Sequence, residues 1–332
     1  MASAEQAEKA QHNCMLFSGT SHPRLAEEIA QQLNVPLSKT ILTQFPDGEI
    51  SFQVLENVRG RDTFIVQSIA LDPNTYLVEL LIMIDALKRA SAKSIVVVIP
   101  YFGYCRQDRK DKPRVPITAK LIANLLEKAG ATRVLTMDLH AGQLQGFFDI
   151  PVDNLFGRPA LLAALQQQFK LHQPVVVTPD LGSIKLTRAF ATELGVDFAI
   201  IDKHRSSPSH VEVINLIGNV EGKDVLLADD ICSTGGTLAS AAKACQEKGA
   251  LRIFAAVTHG IFVGDAVAKI EESPIEALLM TNTIPATKRL SSATKLKEVS
   301  VASLFSHAIH CILSAESISS LYMLSPGQWV EG

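Results

Sequence analysis

Short apolar runs rich in β-branched residues recur along this chain, and most are followed by a stretch with helical periodicity. Ser94–Ile99, Arg133–Met137, Val175–Thr178 and Ile253–Val257 are examples. Runs that are short and apolar throughout suit strands buried on both faces, and strands that alternate with helices predict parallel sheets covered by helices. Helical patterns are readable over 22–33, 76–91, 116–130, 158–170, 182–195, 236–249 and 302–314. At 332 residues the chain can form two α/β domains of ordinary size, each burying its own core. The expected joint follows Asp149-Ile150-Pro151-Val152-Asp153-Asn154, ahead of a helix with Pro159 in its first turn. That places a first domain at 13–156 and a second at 157–302. A C-terminal helix near 303–322 is expected to pack back on the first domain, with peripheral tails at 1–12 and 323–332.

Composition narrows the class. With 47% hydrophobic and 20% charged residues the chain reads as soluble and globular, and no apolar run approaches the roughly 18 to 20 residues that span a bilayer. A net charge of -3 gives no electrostatic reason to expect a nucleic-acid partner. Cys14, Cys105, Cys232, Cys245 and Cys311 form no CxxC pair, so neither a disulfide framework nor a cysteine zinc site is indicated. The first twelve residues lack the apolar stretch of a secretory leader, and a cytoplasmic protein is expected.

Chemistry concentrates in Val225–Leu238. The apolar run Val225–Ala228 ends in Asp229 and Asp230, and Ile231-Cys232-Ser233-Thr234-Gly235-Gly236-Thr237 then leads into the helix former Leu238–Ala244. A loop at a helix N-terminus meets an anion with free backbone N–H groups and the positive end of the dipole. Gly235 and Gly236 let the backbone close around it, and Thr234 and Thr237 add hydroxyls. Adjacent acids at a strand end repel unless a cation or ligand hydroxyls face them, and ribose hydroxyls or Mg2+ would serve. The plainer reading is an acidic strand end followed by a helix N-cap at Ser233 or Thr234.

Other strand ends carry polar groups. Pro100–Lys112 follows a buried strand yet sets four cations among aromatic rings, a place to grip polyphosphate and stack on a base, or else a solvated charge run. Met137-Asp138-Leu139-His140 and Thr178-Pro179-Asp180-Leu181-Gly182 also end apolar strands. His140 can be a core or capping histidine, or one of the few protein ligands that Mg2+ needs. Phe45-Pro46-Asp47-Gly48-Glu49 reads as an acidic turn with Phe45 packed beneath it. Ile200–His210 runs from a strand into a Ser/Pro loop bearing Lys203 and Arg205, which suits either a mobile lid or a plain basic loop. No GxxxxGK[ST] sequence is present, so a P-loop kinase is not a competitor.

By itself the Val225–Leu238 run resembles the phosphoribosyl-pyrophosphate (PRPP) motif of type I phosphoribosyltransferases and ribose-phosphate pyrophosphokinases. Taken with Phe45–Glu49, Tyr104–Lys112, Arg114–Lys120, Asp138–Ala141, Gln145–Asp149 and Asp202–Arg205, the chain resembles a ribose-phosphate pyrophosphokinase, or PRPP synthetase, from about residue 14 to 322. The resemblance implies two tandem phosphoribosyltransferase-like (type I) domains, each a mainly parallel sheet flanked by helices, assembled as a homohexamer built from dimers. It implies transfer of the diphosphoryl group of ATP to the C1 hydroxyl of ribose 5-phosphate, giving PRPP and AMP. By the same resemblance Phe45, Asp47 and Glu49 reach ATP from a neighbouring subunit, and Arg106, Gln107, Asp108, Lys110 and Asp111 bind the nucleotide. His140 and Asp180 would contact Mg2+, and Lys203 with Arg205 would be catalytic. Asp229 and Asp230 would engage the ribose hydroxyls, and Ser233, Thr234, Gly235, Gly236 and Thr237 the 5-phosphate. Arg59, Gln145, Asp153, Ser317 and Ser319 resemble a regulatory site at which phosphate activates and ADP inhibits.

Three positions depart from the pattern: Ser233 where an acid is usual, Pro73-Asn74-Thr75-Tyr76 in place of an Asn-Asp-Asn turn, and Leu186 where Arg is common. Two rival readings accompany the main one. A catalytically silent homologue could regulate an active synthetase, although Lys203, Arg205, His140, Asp180, Asp229 and Asp230 are all present. A phosphoribosyltransferase that consumes PRPP would not need the Phe45 and Arg106 segments.

Overall fold

The computed structural model describes residues 13–204, 213–287, 290 and 292–322, and they divide into two compact units. The first holds the described residues up to Phe156, with Thr283–Pro285 and the stretch from Val301 onward; the second holds the remainder. In chain order the first begins β1 (Cys14–Ser18), α1 (Pro23–Leu33), β2 (Thr40–Gln44), β3 (Ile50–Val54), β4 (Asp62–Val66) and α2 (Pro73–Arg89). It continues with β5 (Ser94–Ile99), α3 (Thr118–Ala129), β6 (Arg133–Met137) and β7 (Val152–Leu155). The second runs α4 (Arg158–Gln168), β8 (Val175–Thr178), α5 (Ile184–Leu194), β9 (Phe198–His204), β10 (Val213–Ile217) and β11 (Asp224–Cys232). It closes with α6 (Gly236–Glu247), β12 (Arg252–Gly260), α7 (Ala266–Glu272), β13 (Ile275–Thr281) and β14 (Leu296–Val299). The last helix, α8 (Ala302–Ser314), returns to the first unit, where Ser306 Oγ donates to Gln32 Oε1 on α1 at 3.0 Å.

Each unit is built on a sheet of the expected kind. The first has order β1-β4-β5-β6-β7 and is parallel throughout. The second, β10-β9-β8-β11-β12-β13-β14, is parallel except where β10 runs antiparallel to β9. Period-two alternation in the central strands supplies two cores. Val175, Val177, Val225 and Leu227 pack with Leu238, Ala241 and Ile270 of α6 and α7, whereas Val176, Leu226 and Ala228 pack with Leu161, Leu165 and Phe190 of α4 and α5. Strands buried on both faces are therefore apolar at every position, as a parallel sheet between helix layers requires.

Local chemistry shifts several boundaries. Helix α2 starts at Pro73, three residues before the periodicity suggests, because Asp72 caps it by accepting from Thr75 N at 3.4 Å. Pro73 fills the first turn, where its fixed φ suits the helix and its missing N–H has no partner to lose. The Pro73–Tyr76 departure is thus a helix start, and the Tyr104 hydroxyl donates to Asn74 Oδ1 there. Neither the β2–β3 hairpin nor the antiparallel β10 was part of the expected parallel pattern, and seven-residue α7 is too short to show periodicity.

At the amino end of the second sheet, Asp224 is 1% exposed and is gripped by Arg252: Nε to Oδ1 at 3.0 Å and Nη2 to Oδ2 at 2.5 Å. His172 N–H donates to the same carboxylate, and the guanidinium lies 5.3 Å from the Phe254 ring centroid. Removing one partner of a buried pair strands the other charge. Arg252→Met should therefore destabilise the second unit by about 3 kcal/mol, read as a lower urea midpoint, with partial recovery in Arg252→Lys.

Candidate active site

Strand β8 pairs in register with β11, Val225 with Val175 through Leu227 with Val177, so both carboxyl ends open on the same edge of the sheet. Three acids emerge there. Asp180 follows β8 and caps a 3-10 turn at Leu181–Ser183, its Oδ1 accepting from Gly182 N at 2.9 Å and Ser183 N at 3.2 Å. Asp229 and Asp230 still belong to β11, which extends to Cys232 rather than ending at Ala228. Asp229 is buried; its Oδ1 accepts from Ser183 Oγ at 2.6 Å and from Asp230 N at 3.0 Å. Burial, followed by the charges of Asp230 and Asp180, pushes its carboxyl well up, to about 8.

The loop after β11 is held by the segment after β12. Ile261 N and Phe262 N donate to Cys232 O at 2.9 and 3.2 Å, and Val263 N donates to Ser233 O at 2.9 Å. Gly235 caps α6 with φ 72, in the left-handed region, and a Cβ there would lie 2.9 Å from Ala266 O. Only glycine fits both demands. No side chain caps α6, so the plainer reading of Ser233 or Thr234 as its cap does not hold, and the first-turn amides remain for a ligand. Ser233 and Thr237 are half-buried, Thr234 is exposed, and Gly236 opens the helix.

Leu186 lies on α5 and packs against the cluster containing Leu162, Val176 and Phe190, while the neighbouring Lys185 is exposed. The apolar departure at 186 is therefore a core contact. Lys203 lies in β9, opposite Ile214 of β10. Arg205 falls outside the described residues.

The first unit gathers a second group of the expected residues. Arg106, Gln107, Lys110 and Asp111 are exposed beyond β5, and Asp108 is half-buried. Asp108 accepts from Gln143 Nε2 at 3.3 Å, and Gln107 Oε1 accepts from Thr118 Oγ1 at 2.5 Å. Gln143 belongs to the 3-10 turn Gly142–Phe147, just after the exposed His140, and Lys120 Nζ of α3 donates to Phe147 O at 2.5 Å. The basic loop and the His140 turn thus share one neighbourhood. Tyr101 and Phe102 are 5% and 2% exposed, so these rings pack the loop down and are not available to stack on a base. Burial likewise holds the Tyr101 phenol well above its usual value.

Phe45, Asp47 and Glu49 sit on the β2–β3 turn, closed by Phe45 N to Glu49 O at 2.8 Å and Gly48 N to Phe45 O at 2.9 Å. Phe45 is 54% exposed, contrary to the expectation that it packs beneath the turn. Among the described residues, no hydrogen bond or ion pair joins these three residues to the basic loop. Arg59 is exposed on the turn before β4, at the amino end of the first sheet, whereas Gln145 lies beyond the carboxyl end of β6. Five-residue strands separate those ends by about 16 Å. Asp153 is paired with Arg133 at 2.6 Å, and Ser317 Oγ donates to Ser319 Oγ at 2.9 Å. Within one chain Arg59 and Gln145 of the expected regulatory site lie at opposite ends of the first sheet.

The second-unit donors are oxygen atoms, which suits a hard cation, and the raised Asp229 carboxyl marks a field that a cation would relieve. Among the described residues no group of three or more His, Cys, Asp and Glu forms a cage. The arrangement fits Mg2+, which keeps waters and takes phosphate oxygens. Also among the described residues, no helix is long and apolar enough to cross a membrane.

Comparison with known proteins decides the family. Residues 14–130 match the N-terminal domain of ribose phosphate pyrophosphokinase, and residues 205–323 match the phosphoribosyl synthetase-associated domain. The ribose-phosphate pyrophosphokinase of Wolinella succinogenes is 51% identical over 308 residues, covering 93% of this chain and 98% of that protein. The chain belongs to the ribose-phosphate pyrophosphokinase family. The Agrobacterium fabrum member is 49% identical over 307 residues, covering 92% of this chain and 99% of its own. The crystal structure of phosphoribosylpyrophosphate synthetase from Mycobacterium smegmatis superposes with a TM-score of 0.85 at 39% identity, covering 91% of this chain and 99% of that one. Within this family fold, Ser183 is the residue that sequence reasoning missed, because a serine directly after an Asp-Leu-Gly turn carries no signal of its long-range bond to Asp229.

The Asp229 carboxyl titrates higher in the folded protein than its ordinary 3.8, so the folded state binds the extra proton between those values. Its stabilising contribution is full below the unfolded value and is lost as pH rises toward the folded one. Without divalent cations, Asp229→Asn should gain thermal stability over the parent as buffer moves from about pH 5 to about pH 8, by several degrees. An unchanged difference across that range would refute the burial argument.

Proposed function

We propose that this family member is a Mg2+-dependent ribose-phosphate diphosphokinase that moves the β,γ-diphosphoryl group of ATP onto the anomeric hydroxyl of ribose 5-phosphate, releasing AMP. The observation that carries the reading is the β11 junction. A buried acid beside a half-buried one and a glycine loop at an uncapped helix start lie on one sheet edge, in a chain that matches the family along nearly its whole length.

In this reading the α6 amides, Ser233, Thr234 and Thr237 bind the 5-phosphate, and Asp229 and Asp230 orient the ribose through its hydroxyls. Gly235 and Gly236 bring the backbone close enough for the amides to reach. Arg106, Gln107, Asp108, Lys110 and Asp111 bind ATP, and Phe45, Asp47 and Glu49 complete that site from a neighbouring subunit. The exposed turn in which those three sit, away from any bond to the basic loop of its own chain, supports that assignment. His140 and Asp180 hold Mg2+, which when bound neutralises the triphosphate. Lys203 and Arg205 stabilise negative charge as the bond to the α-phosphate breaks, a contact that strengthens in the transition state. Holding the two bound substrates in reacting geometry makes the displacement effectively unimolecular.

The active form is a homohexamer built from dimers, working in the cytoplasm. Phosphate activates it and ADP inhibits it at a site formed by Arg59, Gln145, Asp153, Ser317 and Ser319. The separation of Arg59 and Gln145 within one chain supports a site shared between subunits. Ser233 serves as a hydroxyl donor to phosphate in place of an acid.

Mg-ATP and ribose 5-phosphate together should yield AMP and PRPP in equal amounts, followed by a coupled assay with and without phosphate. Folded protein that forms no AMP would leave the silent-homologue reading. Lys203→Ala should lower kcat by about a hundredfold or more while leaving the KM for ATP within about threefold. Equal losses in both would make Lys203 a ground-state binder.

A further inference from the structure

Ser183 lies between two of the acids and belongs to neither the phosphate loop nor the catalytic pair. Its hydroxyl is 2.6 Å from Asp229 Oδ1 and 3.5 Å from Asp180 Oδ1, and its own N–H donates to that same Asp180 oxygen at 3.2 Å. Ser183 is 8% exposed and Asp229 7%, so water competes poorly for the bond. The residue stands where the 3-10 turn at Leu181–Ser183 passes into α5, and the core contacts of Thr187, Phe190 and Ala191 fix that helix on the sheet. The hydroxyl is consequently attached to a rigid element.

We infer that Ser183 is a positioning residue for the ribose subsite, holding the Asp229 carboxylate in the rotamer that meets the sugar hydroxyls while tying the Asp180 turn to the same point. This rests on the assignment of Asp229 to ribose 5-phosphate made above. A hydrogen bond to a carboxylate is among the stronger ones in a protein, and the same Asp229 oxygen also accepts from the Asp230 amide at 3.0 Å. Without the hydroxyl, Asp229 keeps its place in β11 but loses the bond that selects its side-chain angle. A carboxylate free to turn engages the sugar less well. The Asp180 turn keeps its bonds from the Gly182 and Ser183 amides without the hydroxyl, so ATP is unaffected.

The test is steady-state kinetics of the full chain for the parent, Ser183→Ala, Ser183→Thr, Asp229→Asn and the Ser183→Ala/Asp229→Asn pair. Ser183→Ala should raise the KM for ribose 5-phosphate about tenfold and leave that for ATP within about twofold. Ser183→Thr, which keeps the hydroxyl, should return the ribose 5-phosphate KM to near the parent value. The double variant should be no worse than Asp229→Asn alone, since a residue that acts through Asp229 has nothing left to position. A lower melting temperature in Ser183→Ala with both KM values unchanged overturns the inference, as do multiplicative losses in the double variant. A parent protein that forms no AMP overturns the functional reading and this inference with it, so the two failures are separately visible.

Discussion

The in-register parallel pairing of β8 with β11 is the constraint on which the second unit's site depends. It brings Asp180 and the Asp229-Asp230 pair to one edge, although nearly fifty residues separate them in the chain. Like charges crowded at a strand end are unfavourable in isolation, and burial makes Asp229 worse placed still. The protein tolerates the crowding because the sheet beneath is rigid. Val175–Val177 and Val225–Ala228 are packed on both faces, one by α6 and α7 and the other by α4 and α5. A strained functional edge on a well-packed scaffold is the usual division of labour in open α/β sheets.

The phosphate loop follows from the same sheet. Its conformation is set by a left-handed Gly235 pressed against Ala266 O and by three amides of the 261–263 segment donating to Cys232 and Ser233. Those braces come from beyond β12, the parallel neighbour of β11. The loop is therefore preorganised before any anion arrives, which lowers the ordering cost of binding. The first unit shows the same principle with different parts, since Lys120 fastens the turn after His140 and buried Tyr101 and Phe102 anchor the basic loop.

Much of the scaffold was legible because parallel strands leave a plain trace, runs apolar at every position followed by amphipathic helices. The glycine loop was legible too, since adjacent glycines at a helix start mark a backbone that must turn tightly or be approached closely, and Gly235 does both. Elements without a local signature were not. Helix α7 is too short for a period, and antiparallel β10 is an edge strand whose direction depends on its partner β9. Phe45 and Tyr101 illustrate the opposite error. An aromatic ring reads alike in sequence whether it packs or projects, and here the turn residue projects while the loop residue packs.

By itself the sequence determined the class of fold, the order of the two halves, the glycine loop at a helix start and the family, because each is written in contiguous residues whose spacing has a physical reason. Tertiary structure decided what lies between distant segments: that Leu186 packs against the core, that Arg59 and Gln145 lie at opposite ends of the first sheet, and that Ser183 donates to Asp229 across the gap between two strands. Hydrogen bonds and burial depend on distance in space, and a chain reveals that distance only once strand register has been fixed.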